Sequence, residues 1–395
     1  MPAASASWID RLTTPLAVTL AVSAIWAIWT VGQIRRAPVG ALVNVGQTFL
    51  DQGKGASETI DRHHVAVGQV TGYDGQFFYY TALDPRHSPS YMDEPGYRYS
   101  RVVYPFLARL ISFGRPAAVP LALLIINLAA VAGGTYALAL LLRLRGASPV
   151  FAALYGLAPG LYIAVKHDLS EPLAYALVLA ALVAWWWDDD RQRPWLVGAI
   201  FALAVLTRES TYLFPLALAV AALLGLQDGL ERRRDRDVRS ALIVGGVALL
   251  PYLVLRLLLL AWLGSSGSSP EAERFALVPL GGLLSHWPLN SGLLEQLWGV
   301  VLPSLVALGL VVWFTRRLGP TLIALVLNVA VLVVFLPTPS YDSLTGSARI
   351  ALGVVCAFLA CLPLIPSTAR AEVALVVAVL GMAPWFALFP EAFGR

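Results

Sequence analysis

Apolar runs long enough to cross a lipid bilayer recur along almost the whole of this chain, and no other feature limits its fold as sharply. A helix rising 1.5 Å per residue needs roughly 17 to 25 apolar residues to cross about 30 Å of hydrocarbon. By that measure about eleven stretches qualify, near 14–33, 117–142, 148–165, 172–187, 194–207, 210–226, 240–263, 296–314, 320–337, 346–366 and 371–389. The breaks among the fourth, fifth and sixth are very short, so that one of these stretches is also compatible with a re-entrant pair. Hydrophobic residues make up 58% of the chain and charged residues 13%, too little polar surface for a soluble domain. With no water to satisfy backbone groups in lipid, the expectation is an all-α polytopic membrane protein. It forms a single integral membrane domain over 1–395, with extracytoplasmic loops at 35–116, carrying interfacial helices, and at 264–295.

Loop charges orient it, because short cytoplasmic loops collect Lys and Arg. With the N-terminus inside, the inner loops hold Arg143 and Arg145, Arg191 and Arg193, Arg232–Arg234 with Arg236 and Arg239, Arg316 and Arg317, and Arg370. The short outer loops hold only Lys166, Arg208, Arg274 and Arg349. Arg35 and Arg36 fall on the outer side, but they open a loop of about 80 residues, and long loops escape the rule. The net charge of +4 is thus topological and requires no nucleic-acid partner. The first apolar run follows a basic start, as a signal sequence would, but it is long and lacks a convincing small-residue cleavage site, which reads as a retained anchor. Cys356 and Cys361 share one expected helix, so neither a disulfide framework nor a cysteine metal cluster is indicated.

On this topology the polar residues that charge rules leave unexplained gather on the outer face. The string GYDGQFFYYTALDP, 72–85, places Asp74 between two glycines that allow close approach of backbone or substrate. A carboxylate just outside a bilayer suits a reaction centre. Tyr73, Phe77 and Phe78 suit either stacking on a sugar or anchoring at the interface. The segment YRYSRVVYPFLARLI, 97–111, is amphipathic and too short to span. In it Arg101 and Arg109 share a face, Val102, Val103, Phe106, Leu107 and Leu110 meet lipid, and Tyr97, Tyr99 and Tyr104 suit the headgroup zone. Arg98 and Arg101 are either part of this interfacial brace or ligands of a lipid phosphate.

Three further clusters follow. VKHDLSEP, 165–172, packs Lys166, His167, Asp168 and Glu171 between two helices. Asp168 or Ser170 suits a helix cap there, which leaves Lys166 and His167 unexplained. LTRESTYLFP, 206–215, carries Arg208 and Glu209 as a buried pair or as a phosphate grip. PTPSYDSLTGSARI, 337–350, ends with Arg349 at the start of a helix, where a cation opposes the dipole and calls for an anion. Arg274 and His286 lie in the Gly/Ser-rich loop 264–295, which suits a mobile lid. As to cofactors, His63 and His64 with Asp61 nearby offer ligands to a divalent cation, although adjacent ligands on a loop are a poor metal pattern.

These strings resemble those of the GT-C glycosyltransferases. GYDGQFFYYTALDP is similar to the Trp-Asp-Gly-containing first-loop motif of the eukaryotic glycosylphosphatidylinositol mannosyltransferases that add the second mannose, and DLSEPLAY and LTRES are similar to that family's later Ser-Glu and Arg-Ser positions. GYDGQ followed by YR, a second Arg and YP also resembles a bacterial group of GT-C-like membrane proteins. The matching strings cover about a tenth of the chain, and the paired acidic dipeptide of many GT-C first loops is absent, which weakens any two-acid metal arrangement. The resemblance implies inverting transfer of a sugar, mannose or another hexose or pentose, from a polyprenyl-phosphate donor to a glycan, lipid or protein acceptor. It would take place outside a bacterial inner membrane, with Asp74 as general base. Around it Tyr73, Gln76, Arg98, Arg101, Lys166, His167, Asp168, Glu171, Arg208, Glu209 and Arg349 would bind substrate, with Arg208, Arg349 and Lys166 holding the phosphate. Two other classes remain open: a transporter or lipid-linked sugar flippase, which would more often show internal repeats and mid-membrane charges, and a noncatalytic partner in an envelope complex.

Overall fold

The computed structural model describes residues 15–52, 65–187, 193–226, 238–264, 277–286, 291–315, 318–382 and 384–385. Among them the chain is helical apart from one short parallel ribbon. Helix α1 (Pro15–Arg36) leads into a layer built from strands β1 (Val45–Gly46) and β2 (Val67–Gln69) and helices α2 (Gly75–Leu83) and α3 (Val103–Ser112). A bundle follows: α4 (Val119–Leu144), a bent pair ending in α5 (Pro159–Lys166), α6 (Glu171–Trp186), α7 (Pro194–Thr207), α8 (Leu213–Leu223) and α9 (Val238–Leu263). It closes with α10 (Ser291–Phe314), α11 (Pro320–Val334), α12 (Leu344–Leu364) and α13 (Ser367–Gly381).

Helices α1, α4, α9, α10 and α12 are each long and apolar enough to cross a membrane, so this is an all-α protein of the multi-pass kind. Pro149–Gly156 and α5 together make a sixth candidate, bent by 45°. The expected stretches 172–187, 194–207, 210–226 and 320–337 form shorter apolar helices. The bend therefore falls in the third expected stretch, not among the fourth to sixth. Its cause is local: Pro159 has no N–H to give, and it pushes Ala158 into an extended conformation at φ −63° and ψ 138°. Helix α7 ends where charge enters, stopping as Arg208 turns extended at φ −159°.

Apolar side chains fill the bundle, where α1 and α6 pack on α4, α7 on α6 and α9, and α11 on α8 and α12. Trp26 of α1 donates to the Gly156 carbonyl at 2.8 Å, locking the first helix onto the bend. Cys356 and Cys361 are buried in this core and form no disulfide among the described residues. Far along α6 and α12 from their N-termini, arginines staple the bundle. Arg145 donates to the Ala360 carbonyl at 2.9 Å with its guanidinium 4.3 Å from the Trp186 ring, and Arg370 donates to the Gly146 carbonyl at 2.8 Å.

The layer between α1 and α4 has its own core, which includes Phe77, Phe78, Tyr79, Tyr80, Tyr91 and Tyr104. Tyr104 is fully buried, accepting from Asn127 Nδ2 at 2.8 Å and donating to the Leu123 carbonyl, so its ring and hydroxyl are spent within the protein and not on lipid headgroups. Phe77 and Phe78 are buried too, neither sugar platforms nor lipid anchors. The amphipathic reading of α3 holds for Phe106 and Leu110, both exposed, while Arg109 turns inward to donate to the last carbonyls of α2, Ala82 and Leu83, at 2.9 and 2.5 Å. That contact satisfies helix-end acceptors.

Candidate functional site

Two glycines make the presentation of Asp74 possible. Gly72 takes φ +65° and lies so close to Gly46 that a Cβ there would sit 2.4 Å from the Gly46 nitrogen. A Cβ on Gly75 would sit 2.1 Å from the His167 carbonyl oxygen. Both close approaches are backbone to backbone, and they clamp the turn between β1 and the α5–α6 connection. Gln76 completes the clamp, accepting from the Gly46 N–H at 3.0 Å and donating to the Thr71 carbonyl at 2.8 Å. Gln76 is thus spent on the turn itself.

Asp74 stands at the start of α2 yet makes no capping bond to it. Its Oδ1 accepts from Arg98 Nη1 at 3.0 Å and its Oδ2 from Arg349 Nη2 at 2.6 Å. Arg98 comes from the layer and Arg349 from α12, so the carboxylate joins the two. The Arg98 fork is itself fixed: Nε and Nη2 each donate to Asp93 at 3.0 Å, and the guanidinium lies 4.5 Å from the Phe77 ring centre. Burial raises the Asp74 carboxyl, but the charges of Arg98 and Arg349 more than offset it and hold the group well below the usual carboxylate range.

The network continues into the bundle. Glu171, 1% exposed, accepts from Arg208 Nη1 at 2.9 Å and lies 3.6 Å from Arg349 Nη1. The anion that the position of Arg349 calls for is therefore present within the chain, as Asp74 and Glu171. Arg101 forms a two-pronged pair with Glu209, Nε at 3.0 Å and Nη2 at 2.6 Å, and also donates to the Tyr97 hydroxyl. Arg208 and Glu209 thus each form their ion pair with another residue, while the Arg208 charge still helps hold the Glu209 carboxyl down. Buried Nε–H groups of Arg208 and Arg349 find no acceptor among the described residues.

Tyr73 stacks on His167 with ring centres 4.2 Å apart and planes inclined by 18°, and the Arg349 guanidinium lies 5.2 Å from the Tyr73 ring centre. Burial, then the charges of Lys166 and Arg349, push His167 down to about 3, so the imidazole is neutral. Beside Tyr73 opens a cavity of about 480 Å³ whose lining includes Lys166, His167, Thr345, Asn44 and Gln33.

Asp168 is the outlier. It is fully buried at φ +48°, and neither carboxyl oxygen finds a partner among the described residues. Neither it nor Ser170 caps α6, since the residue at that cap, Ser170, makes no side-chain capping bond. Burial pushes the Asp168 carboxyl well above the usual carboxylate range. A carboxyl raised in the folded state binds its proton more tightly there than in the unfolded chain. It therefore withdraws stability as pH climbs from about 4 through its folded pKa. Asp168→Asn removes that term while the opposing histidine terms stay common to both proteins. The expected result is a thermal midpoint that the variant raises more at pH 7 than at pH 4, read by a detergent-solubilised melting series; an equal change at both pH values would contradict it.

Of the residues the sequence singled out, Asp74, Arg98, Arg349, Glu171 and Arg208 meet in one network, Tyr73, Lys166 and His167 line the cavity beside it, and Arg101 pairs with Glu209 alongside. Asp93, an acid of the first outer loop, joins the network by fixing Arg98, five residues further along the chain. Asp61, His63, His64 and Arg274 lie outside the described residues, among which no group of three metal-ligating side chains occurs. His286 is described and meets Asp342 at 3.0 Å. No family model matches the chain, and neither a curated protein nor a solved structure gives a significant match.

Proposed function

We propose that this protein is a GT-C-like membrane glycosyltransferase, moving a sugar from a polyprenyl-phosphate donor to a hydroxyl of a glycan, lipid or protein acceptor. The observation that carries the reading is Asp74, a carboxylate outside the apolar bundle that is held between guanidiniums of the layer and of α12. The acceptor oxygen attacks the anomeric carbon, the carbon–phosphate oxygen bond breaks with its electron pair leaving on the phosphate, and the hydroxyl proton passes to Asp74. The products are an inverted glycoside and polyprenyl phosphate. Between two guanidiniums Asp74 is ionised but weakly basic. An incoming phosphate that draws on Arg349, whose Nε–H is buried without a described acceptor, restores basicity when the donor is in place.

The full topology belongs to this reading: eleven spans, N-terminus inside, in a bacterial inner membrane with the site on the extracytoplasmic face. The five long helices, the bent pair, the shorter helices α6, α7, α8 and α11, and α13 supply them, flanking residues compensating for length. The arginine staples at the far end of α6 and α12 agree with a cytoplasmic side rich in positive charge. A transporter is less well supported, because the charges meet at one end of the bundle. The test is release or transfer of label when purified protein in lipid is given a panel of radiolabelled polyprenyl-phosphate sugars. Label that crosses the bilayer without leaving its carrier would replace this reading with a flippase.

A further inference from the structure

We propose that the inner edge of α9 carries a binding site for an anionic lipid phosphate, with Arg256 as its cation and Tyr252 as the group that aims it. The inference stands apart from the glycosyltransferase reading and needs only that α9 lies in a membrane.

Arg256 lies inside a helix long and apolar enough to cross a membrane, about two turns before its end at Leu263, or roughly 10 Å of helix at 1.5 Å per residue. A guanidinium at that depth is costly in lipid and is a mark of function. A long basic side chain would relieve the cost by reaching for the nearer end of its helix. Arg256 does the opposite: its Nη1 donates to the Tyr252 hydroxyl at 2.9 Å, one turn back along α9 and further from that end. The guanidinium is thus held at depth by a neutral partner, with other N–H groups left to give.

Charge balance on this side of the network favours an anion. Arg98, Arg101, Arg208 and Arg349 each face a carboxylate at 3.0 Å or less, whereas no carboxylate among the described residues comes within ion-pair distance of Arg256. Helix α9 packs on the turn Glu209–Tyr212 and on Pro95–Arg98, and the charges of Glu209 and Arg101 reach Tyr252. Both oxygens of Glu209 are engaged by Arg101, so that carboxylate is already matched and the charge of Arg256 is in excess.

The approach to Arg256 runs through lipid. At 3.6 residues per turn, Tyr252, Arg256, Leu259 and Leu263 fall within about 60° of one another and form the face turned to the protein, where Leu259 is buried. Arg256 stands at the edge of that face, and Leu253 and Leu260, one turn to either side of it, are both exposed. An anion arriving between them is flanked by hydrocarbon. A phosphate tethered to an apolar chain meets both demands, because its oxygens take the guanidinium fork while its chain lies along the leucines.

The full-length protein in detergent is titrated with anionic dioleoylphosphatidylglycerol, zwitterionic dioleoylphosphatidylcholine and farnesyl phosphate, and bound lipids are counted by native mass spectrometry. The expected result is that the first phosphatidylglycerol binds at least about tenfold more tightly than the first phosphatidylcholine. Arg256→Gln abolishes that preference, and Arg256→Lys keeps part of it. Farnesyl phosphate that displaces phosphatidylglycerol through Arg256 makes the ligand any anionic lipid phosphate, whereas dependence on Arg256 confined to one of the two keeps the site and names its source. Inorganic phosphate competing as well as either lipid overturns the lipid. A preference unchanged in Arg256→Gln overturns the site. A purely structural pin would show itself in that case, with Arg256→Gln and Tyr252→Phe lowering the melting temperature alike while the preference survives in both.

Discussion

Asparagine in place of Asp74 is expected to reduce sugar transfer by about 10² to 10⁴-fold while leaving a folded protein. The amide keeps the shape of the side chain but accepts no proton from an attacking hydroxyl. It also loses the charge that Arg98 and Arg349 both face. Those arginines are not abandoned, because Arg98 retains its fork on Asp93 and Arg349 retains Glu171. Folding should therefore survive with a modest fall in melting temperature, and the two effects are separable by measuring turnover at matched folded fraction. Turnover equal to that of the native chain would remove Asp74 from the chemistry and leave it as a tie between layer and bundle.

The largest stability effect is expected from Glu171→Ala. Glu171 is almost wholly enclosed at the start of α6 and serves two guanidiniums, so its removal leaves Arg208 and Arg349 buried with a shared acceptor gone. Breaking a buried ion pair by deleting one partner typically costs about 3–5 kcal/mol, mostly as the penalty of the charge left behind. Removing Arg208 as well should return part of that loss, and the Glu171→Ala, Arg208→Ala double variant should unfold at a higher temperature than Glu171→Ala alone. Melting of the two single variants and the double variant in one detergent decides it. If losses simply add, the pair is not coupled and the network is a set of independent contacts.

The sequence shows the bundle more readily than the site. Apolar runs announce helices because lipid and core both demand them, but run length alone overstates span length: the stretch 148–165 reads as continuous, and Pro159 folds it over at Ala158. The charged interruptions at 165–172, 206–215 and 337–350 stand where helices stop, and the fold brings Glu171, Arg208 and Arg349 from them together. Which charge meets which is another matter. Arg349 and Asp74 are 275 residues apart, and nothing local to LTGSARI predicts that its cation will find a carboxylate in the first loop. Likewise the aromatic string after Asp74 reads as a surface patch, whereas α2 is buried on all sides by the layer around it. Only the tertiary fold distinguishes these.

The tie between Asp74 and Arg349 also has a meaning for biogenesis. A chain made from its N-terminus exposes the GYDG turn long before α12 has left the ribosome, and at about 5–20 residues per second the 275-residue separation corresponds to roughly 14–55 s. Throughout that interval Asp74 has only its neighbour from the same layer. The Asp74 cluster is completed by one of the last helices to be made, so a chain truncated before residue 349 carries the motif without the cation from α12 that faces it.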